Sequence, residues 1–285
     1  SNKEDKKMGK NRQNITKTDK VNMYRDLQID TCIYMGNAMG IPYKYDDWAK
    51  ELLISNDYEE IRKSVLKKFK ITSFDYDENG YDDDLIPVIL EKVAATMKVK
   101  VSDYEDIAVR IRHHIDYIFD DSIVDVYKEQ FDLARDILEI ARRRGIHNSK
   151  ELGELMNADI YEFVGKFMFT AYEVLPKQSF NDVKQYRDTI FDVLSQLKDL
   201  HTSYGSYAMM DVADLHIWHG NDNDGDKIYL YLLRETVIKD YIYYRYAFAY
   251  SDYDPEKART IAKEAMQHID DKFFFYDAIV NILEN

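Results

Sequence analysis

The sequence predicts an all-α protein, an irregular bundle of about ten helices around a long, tyrosine-rich central helix. Three observations lead there. The chain has only 10 Gly and 4 Pro in 285 residues, so turns are scarce and elements are long. Apolar residues recur at the three-and-four spacing of a helix, and no segment alternates as a strand does. The stretch from Asp226 to Tyr250 carries neither Gly nor Pro and leaves no wide polar face, as expected of a helix in the middle of a protein. Arg234, Glu235, Lys239, Asp240 and Arg245 within it exclude a membrane span. Glu235 and Lys239 stand at the i, i+4 spacing of a helix ion pair.

Residues 1–17 are polar, rich in Lys and Asn and without period, and predict a flexible tether ahead of a single helical domain over residues 18–285. Thr18 or Asp19 can cap a first helix running through Tyr24 and Cys32 to Ala38, stopped by Gly40-Ile41-Pro42. Asp46 or Asp47 opens a short helix with Trp48 and Leu52, and Asn56 with Glu59 forms a capping box for another. Residues 70–84 are irregular, and a helix follows from Leu85 to Met97 with Pro87 in its first turn.

From a second capping box at Ser102 and Glu105 no Gly or Pro occurs until Gly145. Two apolar faces in that span, Ile107-Ile111-Ile115-Ile118 and Val124-Tyr127-Phe131-Leu138, lie roughly 145° apart on one helix. A break at Asp120-Asp121-Ser122 resolves the mismatch, because these residues cap a new helix. That helix stops at Arg142-Arg143-Arg144-Gly145. Ser149 opens the next, restarted at Asn157 or Asp159 and ended by Pro176. Asn181 starts a helix to Leu200, Ser206–Trp218 continues as helix, and Gly220–Gly225 reads as a loop before the central helix. Asp254-Pro255 pairs an N-cap with an N1 proline, and a last helix runs from Asp271 to Leu283.

Composition narrows function. The net charge is −14 and no basic stripe occurs, which speaks against a nucleic-acid partner and for solubility, cations or a basic protein. The single Cys32 forbids an internal disulfide and reads as a small core residue. The 24 Tyr place large rings and hydroxyls together, at a core–surface boundary or in a groove that binds something. The chain begins at Ser1 without Met, as a processed or trimmed form does, and no signal peptide or membrane span precedes the helices.

No Gly-rich phosphate loop, nucleophile elbow, Cys pair, His-Glu-x-x-His or Glu-x-x-His occurs, so no reaction is expected. Asp214, His216 and His219 precede Asp222, Asp224 and Asp226, which reads as a helix end and hydrated turn more readily than as a metal site. His113-His114 with Asp116 reads as solvated or packed. The loop from Asp75 to Asp83 is sharper. It is similar to the first nine positions of an EF-hand calcium loop, with Asp75, Asp77 and Asn79 at positions 1, 3 and 5. Gly80 stands at the sharp turn, the Tyr81 carbonyl at position 7 and Asp83 at position 9, while position 12 is Ile86 instead of Glu. Weak Ca²⁺ binding is the cofactor expectation, with no other cofactor and no catalytic residue.

Three segments carry a whole-chain resemblance. Lys20-Val-Asn-Met-Tyr24, the paired helices around Ile160–Leu175 and Asn181–Leu200, and Phe275–Asn285 resemble the helical bacterial envelope lipoproteins of unknown function typified by YiiG. The resemblance implies an all-α domain outside the cytoplasm, tethered by a lipidated Cys just before Ser1 and touching the membrane only through that anchor. Two functional classes stay open. One is a non-catalytic, envelope-tethered binding or structural module for a protein or small molecule. The other is an acidic cytoplasmic inhibitor, immunity-like, for a basic partner.

Overall fold

The computed structural model describes residues 16–72 and 74–285. Of the expected tether only Thr16 and Lys17 fall inside that range, and the rest lies outside the described residues. Every regular element among the described residues is helical, as expected, but there are sixteen α-helices rather than about ten. The chain divides into two compact units. One takes the chain up to Asp106 with Glu139–Gly145, the other Ile107–Leu138 with Ile146–Asn285.

The first unit is built on α6 (Leu85–Thr96), against which α1 (Lys17–Arg25), α2 (Ile29–Ala38), α3 (Tyr45–Leu52) and α4 (Tyr58–Lys68) pack. Its Leu85, Ile86, Val88, Ile89, Leu90 and Val93 are all buried, each worth roughly 1.5–3 kcal/mol of transfer free energy. Thr16 caps α1 by accepting from the Asp19 N–H at 3.1 Å, two residues before the expected cap. The single helix expected from residue 18 to 38 is interrupted at Asp26-Leu27-Gln28. Asp57, not Asn56, caps α4, its Oδ1 accepting from the N–H groups of Glu59 and Glu60. A short α5 (Tyr76–Asn79) lies within the expected irregular stretch.

The break near Asp120 is present. α7 (Tyr104–Ile115) ends, and α8 (Ile123–Arg144) starts after Asp120 Oδ1 accepts from the Ser122 N–H at 2.9 Å. Gly145 takes φ +67°, the left-handed stop read from the arginine run. The box expected at Ser102 sits two residues earlier, where the Lys100 N–H donates to Asp103 Oδ2 at 2.9 Å.

In the second unit the central helix is α12 (Lys198–Trp218), packed against α9 (Ser149–Met156), α10 (Ile160–Val174), α11 (Phe180–Gln196), α13 (Asp222–Glu235) and α14 (Asp240–Tyr250). Its residues Val212 to Ile217 are buried without interruption. α15 (Pro255–Ala265) and α16 (Tyr276–Glu284) close the unit against α14.

The long helix expected over Asp226–Tyr250 is therefore two helices, and Gly220–Gly225 is only in part a loop, since Gly225 lies inside α13. Thr236, Val237 and Ile238 are consecutive β-branched residues, which crowd the preceding helical turn. Lys239 folds its Nζ onto the Leu233 carbonyl and, at 2.6 Å, the Thr236 carbonyl, capping the end of α13. It thus does not form the expected pair with Glu235, whose neighbour is Arg234 at 3.8 Å. Val237 is 92% exposed and Ile238 67% exposed, so the middle of that stretch is surface rather than core.

Candidate functional site

Several tyrosine hydroxyls donate to carboxylates. A tyrosine hydroxyl at the edge of the core gains from an acceptor, and a carboxylate has lone pairs to spare for one even beside a cation. Tyr24 donates to Asp82 at 3.0 Å, Tyr43 to Glu51 at 2.8 Å and Tyr117 to Asp120 at 2.7 Å. Burial raises the hydroxyl pKa of Tyr24, Tyr172, Tyr229, Tyr246 and Tyr250, so these groups remain donors.

Two such networks lie inside the second unit. In the first, Asp211 and Asp214 project from α12 one turn apart, and Arg245 Nη2 of α14 donates to both at 2.8 Å. Asp214, 1% exposed, also accepts from Tyr172 at 2.7 Å and from Tyr229. Burial pushes Asp211 up to about 6 against the pull of Arg245. Burial raises Asp214 as well, against Arg245 and its tyrosine donors. Burial opposes the charge on Arg245, but Asp214 and Asp211 outweigh it and hold the guanidinium protonated. Removing Arg245 strands the buried Asp214 and the half-buried Asp211, a loss of about 3–5 kcal/mol.

In the second network Asp226 accepts from Tyr246 and Tyr250 at 2.7 Å each, and from Lys257 Nζ at 2.7 Å. Burial works to raise Asp226, and Lys257 with the two tyrosines outweighs it, leaving the carboxyl below its ordinary range. Lys257 also stands 4.2 Å from the centre of the Tyr250 ring. Both oxygens of Asp214 and of Asp226 are committed to donors, and Asp211 is held through Oδ1, so each network reads as a tie between helices.

The sequence pattern could have shown the first network. Asp211 and Asp214 sit at i, i+3 in a run of Ala208, Met210, Val212 and Ala213, which no solvated face would supply. The histidine and aspartate group read in the sequence is dispersed. His216 Nδ1 stands 4.0 Å from Asp224, His219 Nε2 is 2.9 Å from the Leu175 carbonyl, and Asp214 belongs to the Arg245 network. His114 is buried with Nε2 3.1 Å from Glu129, while His113 and Asp116 are exposed.

The expected cation residues, all in the first unit, are placed as follows. Asp75 is the N-cap of α5, its Oδ1 accepting from the Asp77 N–H at 2.9 Å. Asn79 Nδ2 donates to the Asp75 carbonyl at 2.9 Å, and Gly80 has φ +80°, the sharp turn the loop calls for. The Tyr81 ring lies 5.3 Å from that of Phe74. Asp83 is bound to Arg62, and its neighbour Asp82 to Lys20 at 2.5 Å. Among the described residues no three His, Cys, Asp or Glu side chains gather as metal ligands would.

A feature not read from the sequence is a chain of aromatic rings on the outer face of α14. Tyr207 of α12 lies 6.0 Å from Tyr241, which lies 4.8 Å from Phe275. Tyr244 is 5.2 Å from Phe275 and 5.8 Å from Phe248. Tyr207 and Phe248 are half exposed. Beside the chain, Tyr244, Phe248, Pro255 and Ile282 line an open groove of about 460 Å³, with Arg259 at its wall. Comparison with family models, curated proteins and solved structures returns no match to this chain.

Proposed function

We propose that this protein is a non-catalytic helical binding module whose contact surface is the aromatic face of α14 with its adjoining groove. The observation that carries the reading is the ring chain Tyr207-Tyr241-Phe275-Tyr244-Phe248, with its outer members left in water. Tyrosine and phenylalanine offer large contact area for little side-chain entropy, and the groove sets apolar side chains beside the polar groups of Ser251, Asp252, Arg259 and Asn281. An envelope location with an N-terminal lipid anchor is part of the proposal, supported by the resemblance and by the Lys-rich leading segment. Weak Ca²⁺ binding at Asp75–Asp83 belongs to it too, supported by the EF-hand-like spacing and by the left-handed Gly80. A second reading, an acidic inhibitor of a basic partner in the cytoplasm, is favoured by the −14 charge.

The test is cross-linking in cells, followed by fractionation, of the parent and a Tyr244→Ala/Phe248→Ser variant. The expected result is an envelope-associated cross-link lost in the variant while its thermal melt stays cooperative. An undiminished cross-link in the variant would overturn the assignment of the surface. Recovery of the parent with soluble cytoplasmic proteins would favour the second reading.

A further inference from the structure

Three apolar side chains at one end of α14 have no place in the core. Val237 is 92% exposed and Ile238 67%, in the turn between α13 and α14, and Phe274, just ahead of α16, is 89% exposed. Two of these values are close to full exposure, so the side chains project rather than line a cleft. The two segments that carry them are joined, because Asp240 at the start of α14 accepts from the Phe275 N–H at 3.1 Å. Phe274 also packs its ring edge-on at 4.9 Å against Phe275, which lies 4.8 Å from Tyr241. The ring contacts run on from Phe274 through Phe275 to Tyr241 and Tyr207, amphipathic rings of the kind found at a headgroup boundary.

The charges around the tip are nearly balanced. Arg234 and Glu235 face each other at 3.8 Å, and Lys239 is folded back on carbonyls. Asp240 is buried, while Asp270, Asp271 and Lys272 are exposed. A strongly anionic surface would be repelled by the −14 chain, and so would a second copy of it. A zwitterionic lipid surface suits projecting apolar tips, an aromatic ring behind them and little local charge.

We propose that Val237, Ile238 and Phe274 form a wedge that inserts reversibly into the headgroup region of a zwitterionic bilayer. The inference holds whether or not the groove beside Phe248 takes a partner. Three side chains give weak partition by themselves, because insertion strength scales with the apolar area buried.

The experiment uses Phe274→Trp in the full chain with vesicles of phosphatidylcholine and phosphatidylethanolamine. Trp48 is fully buried and Trp218 donates to the Ala249 carbonyl at 2.9 Å, so both give a constant background. The expected result is a blue shift of the new emission on adding vesicles, at least twofold quenching by brominated lipid, and little change with salt. Adding Val237→Asp and Ile238→Asp, both at exposed positions, should abolish the response while the melt is unchanged. Three results would overturn the proposal: no response to vesicles, a response that requires anionic lipid and fades with salt, or a shift that follows protein concentration without lipid.

Discussion

Gly225 of α13 stands so close to α12 that a methyl group in its place would lie 2.6 Å from Ile217 Cγ1 and 2.7 Å from the Ala213 carbonyl oxygen. The glycine is what allows the two helices to approach there. In an open helix Gly→Ala gains about 0.5–1 kcal/mol. Here the backbone carbonyl cannot swing aside, so Gly225→Ala should cost about 1–3 kcal/mol through overpacking. Urea unfolding checks it, and a stabilised variant would mean the helices separate without loss.

Asp211 gives a pH dependence with a definite sign. Burial raises it from 3.8 to about 6. The folded state therefore holds a proton that the unfolded state has released, and its contribution is full below 3.8 and lost as pH rises through about 6. The size is on the order of 2–3 kcal/mol. His114 and His216, lowered by burial, act oppositely, their contribution being present above 6.5 and lost on acidification. The difference in stability between parent and Asp211→Asn isolates the aspartate. That difference should fall between about pH 4 and 7. A flat difference would mean that Arg245 holds Asp211 ionised throughout.

Ile238 and Ile242 separate the two descriptions of the Asp226–Tyr250 stretch. On one continuous buried helix, either truncation to Ala costs about 2–5 kcal/mol. With Ile238 at 67% exposure and Ile242 at 4%, only Ile242→Ala should carry that cost. Ile238→Ala should stay within about 0.5 kcal/mol of the parent. Equal losses in thermal melts would restore the continuous helix.

That stretch also shows where the sequence is legible. The stops at Arg142–Gly145 and the start at Asp254-Pro255 are local chemistry, carried by a left-handed glycine and by an aspartate accepting from the Lys257 N–H at 3.2 Å. The Asp120–Ser122 break is legible because two apolar faces cannot share one helix. The break at Thr236–Lys239 is different. Its β-branched run is a weak signal, and the contacts that accompany it, Lys239 on the Thr236 carbonyl and the Phe275 N–H on Asp240, 35 residues away in sequence, are visible only in the fold. Gly225 reads as a turn residue until the position of α12 is known. Arg245 reads only as a charge that excludes a membrane span until Asp211 and Asp214 are seen on the facing helix.

The loop at Asp75–Asp83 gives the last prediction. Its spacing matches five ligand positions of a calcium loop, yet Asp83 is bound to Arg62, whose guanidinium also holds Glu59 at 2.7 Å. Asp75 meanwhile spends Oδ1 on the Asp77 N–H. A cation entering this loop has to compete with Arg62 for Asp83, and it lacks the bidentate residue at position 12. Millimolar Ca²⁺ should therefore shift the melting temperature of the parent only slightly. In Arg62→Ala, measured against its own cation-free melt, the shift should be larger, because the carboxylate is released and a ligand bound only by the folded state stabilises it. Adding Asp75→Ala to Arg62→Ala should remove the gain. Magnesium at the same concentration controls for general screening of the acidic chain. Equal shifts in all variants, or the same response to both cations, would reduce the stretch to an acidic turn held by Arg62 and Lys20.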